Sequence, residues 1–344
     1  MKKYTVGVIG AGKMGLLHAG IFNSLEYSKL TGLADKDKFI INIMRNYLPS
    51  VATFQDYKDM IEKVNPDIVV ITTPVFLHKE MIEDSMNYGT AIFVEKPLVA
   101  KGSDCSSLLN KNYKHPTLVG YCRRFMETYN LAKNIIENES LGKANYVYSH
   151  MYVSQVFKQG KGWLYDPKMS GGGVLVDLGS HAIDMLHYLL GDIRLVSAFS
   201  KPIFNKSVED YVSANLMFKN DVFGSLQVSW SIRNYRLPEL KIKIQLDKGS
   251  IEVTEKYITV YSELSADGLK KGWNTFYKQD LKKDVYINIA GAEYTMEDTH
   301  LIECIMQNKP TRCNFSEAAK TNFVIDHIYS SIASGNTKQI DYEG

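Results

Sequence analysis

The sequence predicts an α/β first part, a doubly wound parallel sheet, followed by an α+β part built on a large, open, mostly antiparallel sheet. Three observations lead there. Over the first third, short β-rich runs alternate with helical patterns, as parallel strands joined by crossover helices do. Beyond residue 190 the pattern becomes a succession of strands alternating apolar with polar side chains. The length, 344 residues, exceeds the usual size of one hydrophobic core, so two domains are expected. The change of pattern puts the boundary at Cys122, giving domains 1–122 and 123–344, with the C-terminal helices able to pack back on the first.

In chain order, residues 6–9, 30–34, 68–72, 91–94 and 117–121 read as strands, with a short one at 52–54. The run Ile68-Val69-Val70-Ile71 is continuously apolar, which suits a sheet covered on both faces. Between the strands lie helical stretches at 14–25, 39–47, 57–64, 79–88 and 104–111. After Cys122 a helix is expected at 129–138, a strand at 144–153, a glycine-led helix, and then strands at 196–204, 211–218, 222–231, 242–246, 250–254 and 257–261. Lys219-Asn220-Asp221 and Asp247-Lys248-Gly249 have hairpin-turn chemistry. Helices over 293–307 and 316–334 close the chain.

Composition narrows the function classes. With 40 Lys and Arg against 38 Asp and Glu, the net charge is +2, too small a field to predict a nucleic-acid or membrane-surface partner. No apolar stretch approaches the length of a membrane span, and the opening Met1-Lys2-Lys3-Tyr4-Thr5-Val6 is unlike a signal peptide. Cys105, Cys122, Cys304 and Cys313 form no CxxC pair and no Cys/His cluster. Reduced thiols, no disulfide, no metal site and a cytoplasmic location are the expectation.

Two segments carry chemistry. Gly10-Ala11-Gly12-Lys13-Met14-Gly15 follows a strand and opens a helix, where a dinucleotide fingerprint must sit. The first glycine makes the tight turn, the second lets a pyrophosphate approach, and the third lets helix pack on strand. Asp35, about 20 residues on, is the acidic residue expected on the adenine ribose; it favours NAD, while Lys36 leaves NADP possible. Thr73 and Pro74 end the 68–72 strand at the ligand-binding edge of such a sheet. His78 follows, either reaching the cofactor or capping its own turn.

The second segment runs Gly171-Gly172-Gly173-Val174-Leu175-Val176-Asp177-Leu178-Gly179-Ser180-His181-Ala182-Ile183-Asp184. On a helix, Asp177, His181 and Asp184 share a stripe with Tyr188, while Leu178, Met185, Leu186 and Leu189 fall on a side suited to a core. A carboxylate one turn from an imidazole orients it for proton transfer. The bland alternative is a solvated face with a chance histidine, against which stands the lack of Lys and Glu on the stripe.

Glu95-Lys96-Pro97, taken with the fingerprint, Thr73-Pro74 with His78, Gly120-Tyr121 through Arg124-Phe125, and the glycine-led helix, resembles the Gfo/Idh/MocA family, named for glucose-fructose oxidoreductase and inositol dehydrogenase. The resemblance spans essentially the whole chain. It implies a Rossmann domain holding NAD or NADP, and a second domain whose sheet covers the substrate and joins a homodimer or homotetramer. It also implies a catalytic set of Lys96, Asp177 and His181. Cofactor contacts would come from Gly10, Gly12, Lys13, Met14, Gly15, Asp35, Thr73, Pro74, His78, Glu95 and Lys96, and substrate contacts from Lys96, Arg124, Trp163, Asp177 and His181. Their chemistry suits oxidation of a secondary alcohol: a neutral His181 as base, Lys96 as donor to the developing oxyanion, and Asp177 holding hydroxyl and imidazole in register. Arg124 has a second reading, an ion pair with a neighbouring carboxylate. Trp163 either stacks on a sugar ring or packs its loop down. A cis bond at Lys96-Pro97 is affordable. The expected function is therefore NAD(P)-dependent hydride transfer with a sugar, cyclic polyol or derivative as the small-molecule substrate. The alternatives are a non-catalytic cofactor- and sugar-sensing regulator and an NAD-dependent glycosidase.

Overall fold

The computed structural model describes residues 3–342. In chain order it contains β1 (Tyr4–Ile9), α1 (Lys13–Ser24), β2 (Ser28–Ala34), α2 (Lys38–Tyr47), β3 (Ala52–Phe54), α3 (Tyr57–Val64), β4 (Ile68–Ile71), α4 (His78–Asn87), β5 (Ala91–Val94), α5 (Gly102–Leu109) and β6 (Thr117–Val119). There follow α6 (Glu127–Glu137), β7 (Ala144–Tyr152), α7 (Pro167–Ser170), a π-helical turn over Leu175–Gly179, α8 (Ser180–Leu190), β8 (Ile193–Lys201), β9 (Tyr211–Phe218) and β10 (Phe223–Ser229). The remainder comprises β11 (Glu239–Leu246), β12 (Gly249–Val253), β13 (Tyr257–Ser262), β14 (Gly272–Tyr277), α9 (Ala292–Gln307), α10 (Phe315–Ser334) and β15 (Lys338–Gln339).

The chain divides into two compact units, one of residues up to 100, 104–122 and 284–318, the other of residues 101–103, 123–283 and 319 onward. The first is a six-stranded sheet in the order β3-β2-β1-β4-β5-β6. Every pairing in it is parallel. All residues of β4 and β5 are buried, as strands covered on both faces require. Side chains fix where the crossovers begin: Asp37 accepts from the Phe39 N–H at the head of α2, and Asp56 from the Lys58 N–H at the head of α3, each at 2.8 Å. The strand order reverses between β1 and β4, so the ends of these two strands form the switch point where open α/β sheets bind ligands. α9 belongs to this unit.

The second unit is built on a nine-stranded sheet in the order β14-β13-β12-β11-β7-β10-β9-β8-β15. Only β7 and β10 pair in parallel. The alternation read from the sequence is the pleat itself: along β9, Val212, Ala214, Leu216 and Phe218 turn inward while their neighbours face out. That inner face packs on α6, α8 and α10 through residues such as Ile135, Ile183, Leu186 and Ile328. Trp230 is fully buried in the same core, with its indole N–H donating to Asp210 at 2.8 Å.

The structure corrects several expected elements. β6 stops at Val119, two residues early, because the Tyr121 N–H turns back to the Val119 carbonyl. β8 begins at Ile193 and ends at Lys201 rather than covering 196–204. β14 and β15 were not expected from the pattern. No residue of β14 is fully buried, and β15 has only two residues, so neither carries an apolar alternation to read. The Leu175–Gly179 segment is π-helical, which widens one turn directly before α8.

Candidate active site

The glycine loop is shaped by close packing at one end and openness in the middle. Gly10 has φ +96°, a left-handed conformation that favours glycine. A Cβ on Gly15 would lie 1.8 Å from the Gly10 carbonyl oxygen, so α1 can sit against the end of β1 only without a side chain there. A Cβ on Gly12 would meet nothing within 4 Å. The protein's own packing therefore explains Gly15 but not Gly12. The free space over Gly12, at the N-terminus of α1, fits the pyrophosphate of a dinucleotide held by helix N–H groups. Asp35 stands immediately after β2, with its Oδ2 accepting the Ala11 N–H at 2.7 Å and its Oδ1 the Asp37 N–H at 2.9 Å. These two bonds aim the carboxylate at the glycine loop and leave lone pairs for ribose hydroxyls. Lys13 is exposed, and Met14, Thr73 and Pro74 are half-buried.

His78 takes neither of its two expected roles. It is buried, with Nε2 2.9 Å from the Thr73 carbonyl oxygen and Nδ1 3.0 Å from that of Pro97. The ring ties the turn after β4 to the turn after β5, which corrects its assignment as a cofactor contact. Burial lowers its pKa, against the opposing effect of those carbonyls. Lys96-Pro97 is cis. Glu95 and Lys96 are half-buried beside it, and the Glu95 carboxylate accepts the Lys96 backbone N–H at 3.1 Å.

Beneath Glu95 lies a charge cluster that the sequence reading missed. His18, on α1 and wholly buried, has Nδ1 2.9 Å and 3.0 Å from the two carboxylate oxygens of Asp298 on α9, and Nε2 3.3 Å from Glu95 Oε1. Burial works against a charged imidazole, but the carboxylates of Asp298 and Glu95 outweigh it and raise the pKa to about 10. The ligand atoms of His18, Glu297 and Asp298 lie within 4.8 Å of one another. Since both imidazole nitrogens already bond carboxylates, the group reads as a buried ion pair that fixes Glu95. A signal existed in the sequence. Asp298 stands three and four residues before Leu301 and Ile302 on the buried side of α9, where an apolar residue is the norm.

In the second unit, Gly171 has φ +81° and ends α7. A Cβ on Gly173 would lie 2.3 Å from the Glu209 carbonyl oxygen, so the chain passes that backbone only as glycine. From Gly172 to His187 every residue is buried except Asp177 and His181, which are half-exposed. The proposed stripe is thus split. Asp184 points inward and forms a bidentate pair with Arg124, at 2.8 Å from Nη2 to Oδ1 and 3.1 Å from Nε to each oxygen. Arg124 is 3% exposed and lies over the Tyr188 ring. This corrects Arg124 as a substrate contact: its alternative reading, an ion pair with a neighbouring carboxylate, is the one found. Trp163 is 39% exposed and opens a short helical turn, Trp163–Tyr165.

Gly12→Ala should change the melting temperature little, a surface change costing within about 0.5 kcal/mol, yet weaken dinucleotide binding measured by NADH fluorescence. Gly15→Ala should lower stability by about 1–3 kcal/mol through overpacking. For His18, a pKa raised above the ordinary 6.5 means that its stabilisation is complete below pH 6.5 and is lost as pH rises through about 10. His18→Asn should cost about 3–5 kcal/mol at neutral pH, the range for breaking a buried pair, and should flatten that alkaline fall in urea-unfolding midpoints. An unchanged alkaline slope would contradict the charged imidazole.

Comparison with known proteins agrees with this layout. The family described as "Oxidoreductase family, NAD-binding Rossmann fold" matches residues 4–121, and the "GFO/IDH/MocA C-terminal domain" matches residues 129–252. Scyllo-inositol 2-dehydrogenase (NAD(+)) of Bacillus subtilis is 27% identical over 314 residues, 88% of this chain and 86% of that protein. The oxidoreductase YrbE of the same organism is 23% identical over 350 residues, 99% of this chain and 98% of its own length. Among solved structures, levoglucosan dehydrogenase in complex with NADH superposes with a TM-score of 0.90 at 20% identity, over 99% of this chain and 100% of that one, which establishes a common fold. The chain belongs to the Gfo/Idh/MocA family and is an NAD-dependent oxidoreductase with its dinucleotide domain at the N-terminal end.

Proposed function

We propose that the protein oxidises a secondary alcohol of a sugar, a cyclic polyol or a related derivative, with NAD as hydride acceptor. The observation that carries this is the selective exposure over residues 172–187, where only a carboxylate and an imidazole one turn apart escape burial. The relative named scyllo-inositol 2-dehydrogenase supports the substrate class. Asp35 supports NAD over NADP, since a carboxylate bonded to the glycine loop would repel a 2′-phosphate.

When bound, NAD supplies the acceptor for the hydride leaving the carbinol carbon. The Gly10–Gly15 loop and Asp35 would hold it, with Thr73 and Pro74 at the neighbouring strand end. In this reading His181 takes the hydroxyl proton on a ring nitrogen as the C–H bond breaks. Lys96 donates from Nζ to the reacting oxygen and stabilises its negative charge. Asp177 accepts from a substrate hydroxyl and keeps the imidazole in register. Trp163 offers an aromatic face to the sugar ring.

The test is a panel of inositols, sugars and anhydrosugars with NAD and with NADP, read by NADH or NADPH absorbance. Turnover with NAD is expected. His181→Asn should abolish most of it while NADH binding persists, and Lys96→Met should lower kcat by about 2–4 kcal/mol of barrier, as for other preorganised donors to an oxyanion. Full activity in either variant would remove that residue from the mechanism; no turnover with any alcohol, but release of a sugar from a glycoside, would favour the glycosidase alternative.

The reading extends to assembly. The outward face of the nine-stranded sheet carries Phe199, Phe223 and Trp273, respectively 74%, 54% and 70% exposed in the single chain. Such apolar exposure fits a contact between copies of this chain. Light scattering should give the mass of a dimer or tetramer, and Phe223→Glu with Trp273→Glu should lower it toward that of one chain. A monomeric native protein would contradict the contact.

A further inference from the structure

Glu209 lies in the loop between β8 and β9, is 8% exposed, and takes no part in the chemistry above. It receives three consecutive backbone N–H groups. The Gly173 N–H donates to both carboxylate oxygens at 3.0 Å, the Val174 N–H to the Glu209 backbone carbonyl at 3.1 Å, and the Leu175 N–H to Oε1 at 3.1 Å. Tyr329 on α10 adds its hydroxyl to Oε1 at 2.8 Å. These amides are among the first of the helical segment that continues through the π-helical turn into α8, the donors that a helix leaves without partners of its own. An anion there also meets the positive end of the helix dipole.

The loop that presents Glu209 is itself fixed. Asp210 is wholly buried; its Oδ2 accepts from the N–H groups of Ile203, Phe204 and Asn205 at 2.6, 2.6 and 2.9 Å, and its Oδ1 from Trp230. On the receiving side, Gly172 and Gly173 have no room for a side chain. A Cβ on Gly172 would lie 1.9 Å from the Tyr329 hydroxyl, and one on Gly173 2.8 Å from Glu209 Oε2. The next link reaches the candidate acid/base pair: the Asp177 N–H donates to the Gly173 carbonyl at 3.2 Å, and Ser180 Oγ–H to the Asp177 carbonyl at 2.9 Å.

We propose that Glu209 is a positioning residue: by gripping the amides of Gly173, Val174 and Leu175 it sets the π-helical turn and so the aim of Asp177 and His181. The proposal rests on the reading that Asp177 and His181 are the acid/base pair, but its geometry is testable without any substrate. Gly172 and Gly173 are the steric condition for the grip, which removes the need for a capping side chain at the head of this helix.

The experiment compares the intact protein with Glu209→Gln, Glu209→Ala and Tyr329→Phe by amide hydrogen exchange and by NMR of labelled histidine rings, the His181 signal being identified by its loss in His181→Asn. In Glu209→Ala, exchange over residues 173–177 should rise by about tenfold or more, the loss expected for bonds to a charged acceptor. The His181 ring signal and its pH titration should move, while those of His78 in the other unit stay. Glu209→Gln keeps an acceptor oxygen and should restore most of the protection but not the charge, so the His181 titration should remain displaced. Tyr329→Phe, which leaves the carboxylate in place, should give a smaller change of the same sign if the alanine variant does not fold. Turnover with NAD and the best alcohol of the panel should then show a fall in kcat with NADH affinity unchanged. Unaltered exchange at 173–177 and an unmoved His181 signal in a folded Glu209 variant would overturn the proposal. The predicted His181 displacement in the Glu209 variants, together with native protein that oxidises no alcohol, would overturn the reaction assignment instead and leave the positioning role standing.

Discussion

Burial of a helical segment on nearly all sides, with Asp177 and His181 left half-exposed near its start, is the constraint on which the candidate chemistry depends. A helix that carries Leu175, Ile183, Met185, Leu186 and Leu189 into one core is held rigidly by packing, because interiors of this density tolerate little displacement. Asp177 and His181 inherit that rigidity while remaining half-exposed. A loop could present the same two groups, but it would have to order them on every encounter with substrate, at an entropic cost that the buried helix has already met in folding.

Three polar sets of the interior are paired locally, each within its own unit. Arg124 with Asp184 locks α8 to the turn before α6. His18 with Asp298 and Glu95 locks α1 to α9 and to the end of β5, the strand that leads into Lys96. His78 bridges two strand ends through backbone carbonyls. In each case a charge or imidazole is kept out of water only where partners meet it, and each set lies within two or three residues of a candidate functional group.

Much of this was legible before the structure. Strand positions in both units follow from apolar runs and alternation, since burial on two faces or one dictates those patterns. Gly10, Gly12, Gly15 and Asp35 were readable because a phosphate-binding turn leaves few residue choices at fixed spacing. What escaped was set by tertiary contact. Asp184 shares a helical stripe with His181 in the sequence, yet it is wholly buried and its carboxylate is taken by Arg124. Arg124 and His78 have the composition of ligand contacts but bond the protein itself. Glu209 sits in an irregular loop with no periodicity to mark it, and β14 and β15 lack a buried face.

The most direct measurement of the central claim follows the hydrogen. The protein is incubated with NAD and with the reactive polyol or sugar carrying deuterium at each carbinol carbon, and the NADH formed is analysed by mass spectrometry and proton NMR. The account predicts one deuterium at C4 of the nicotinamide, taken from a single carbinol position, with a ketone at that carbon. NADH without the label, or no NADH from any alcohol tried, would contradict it.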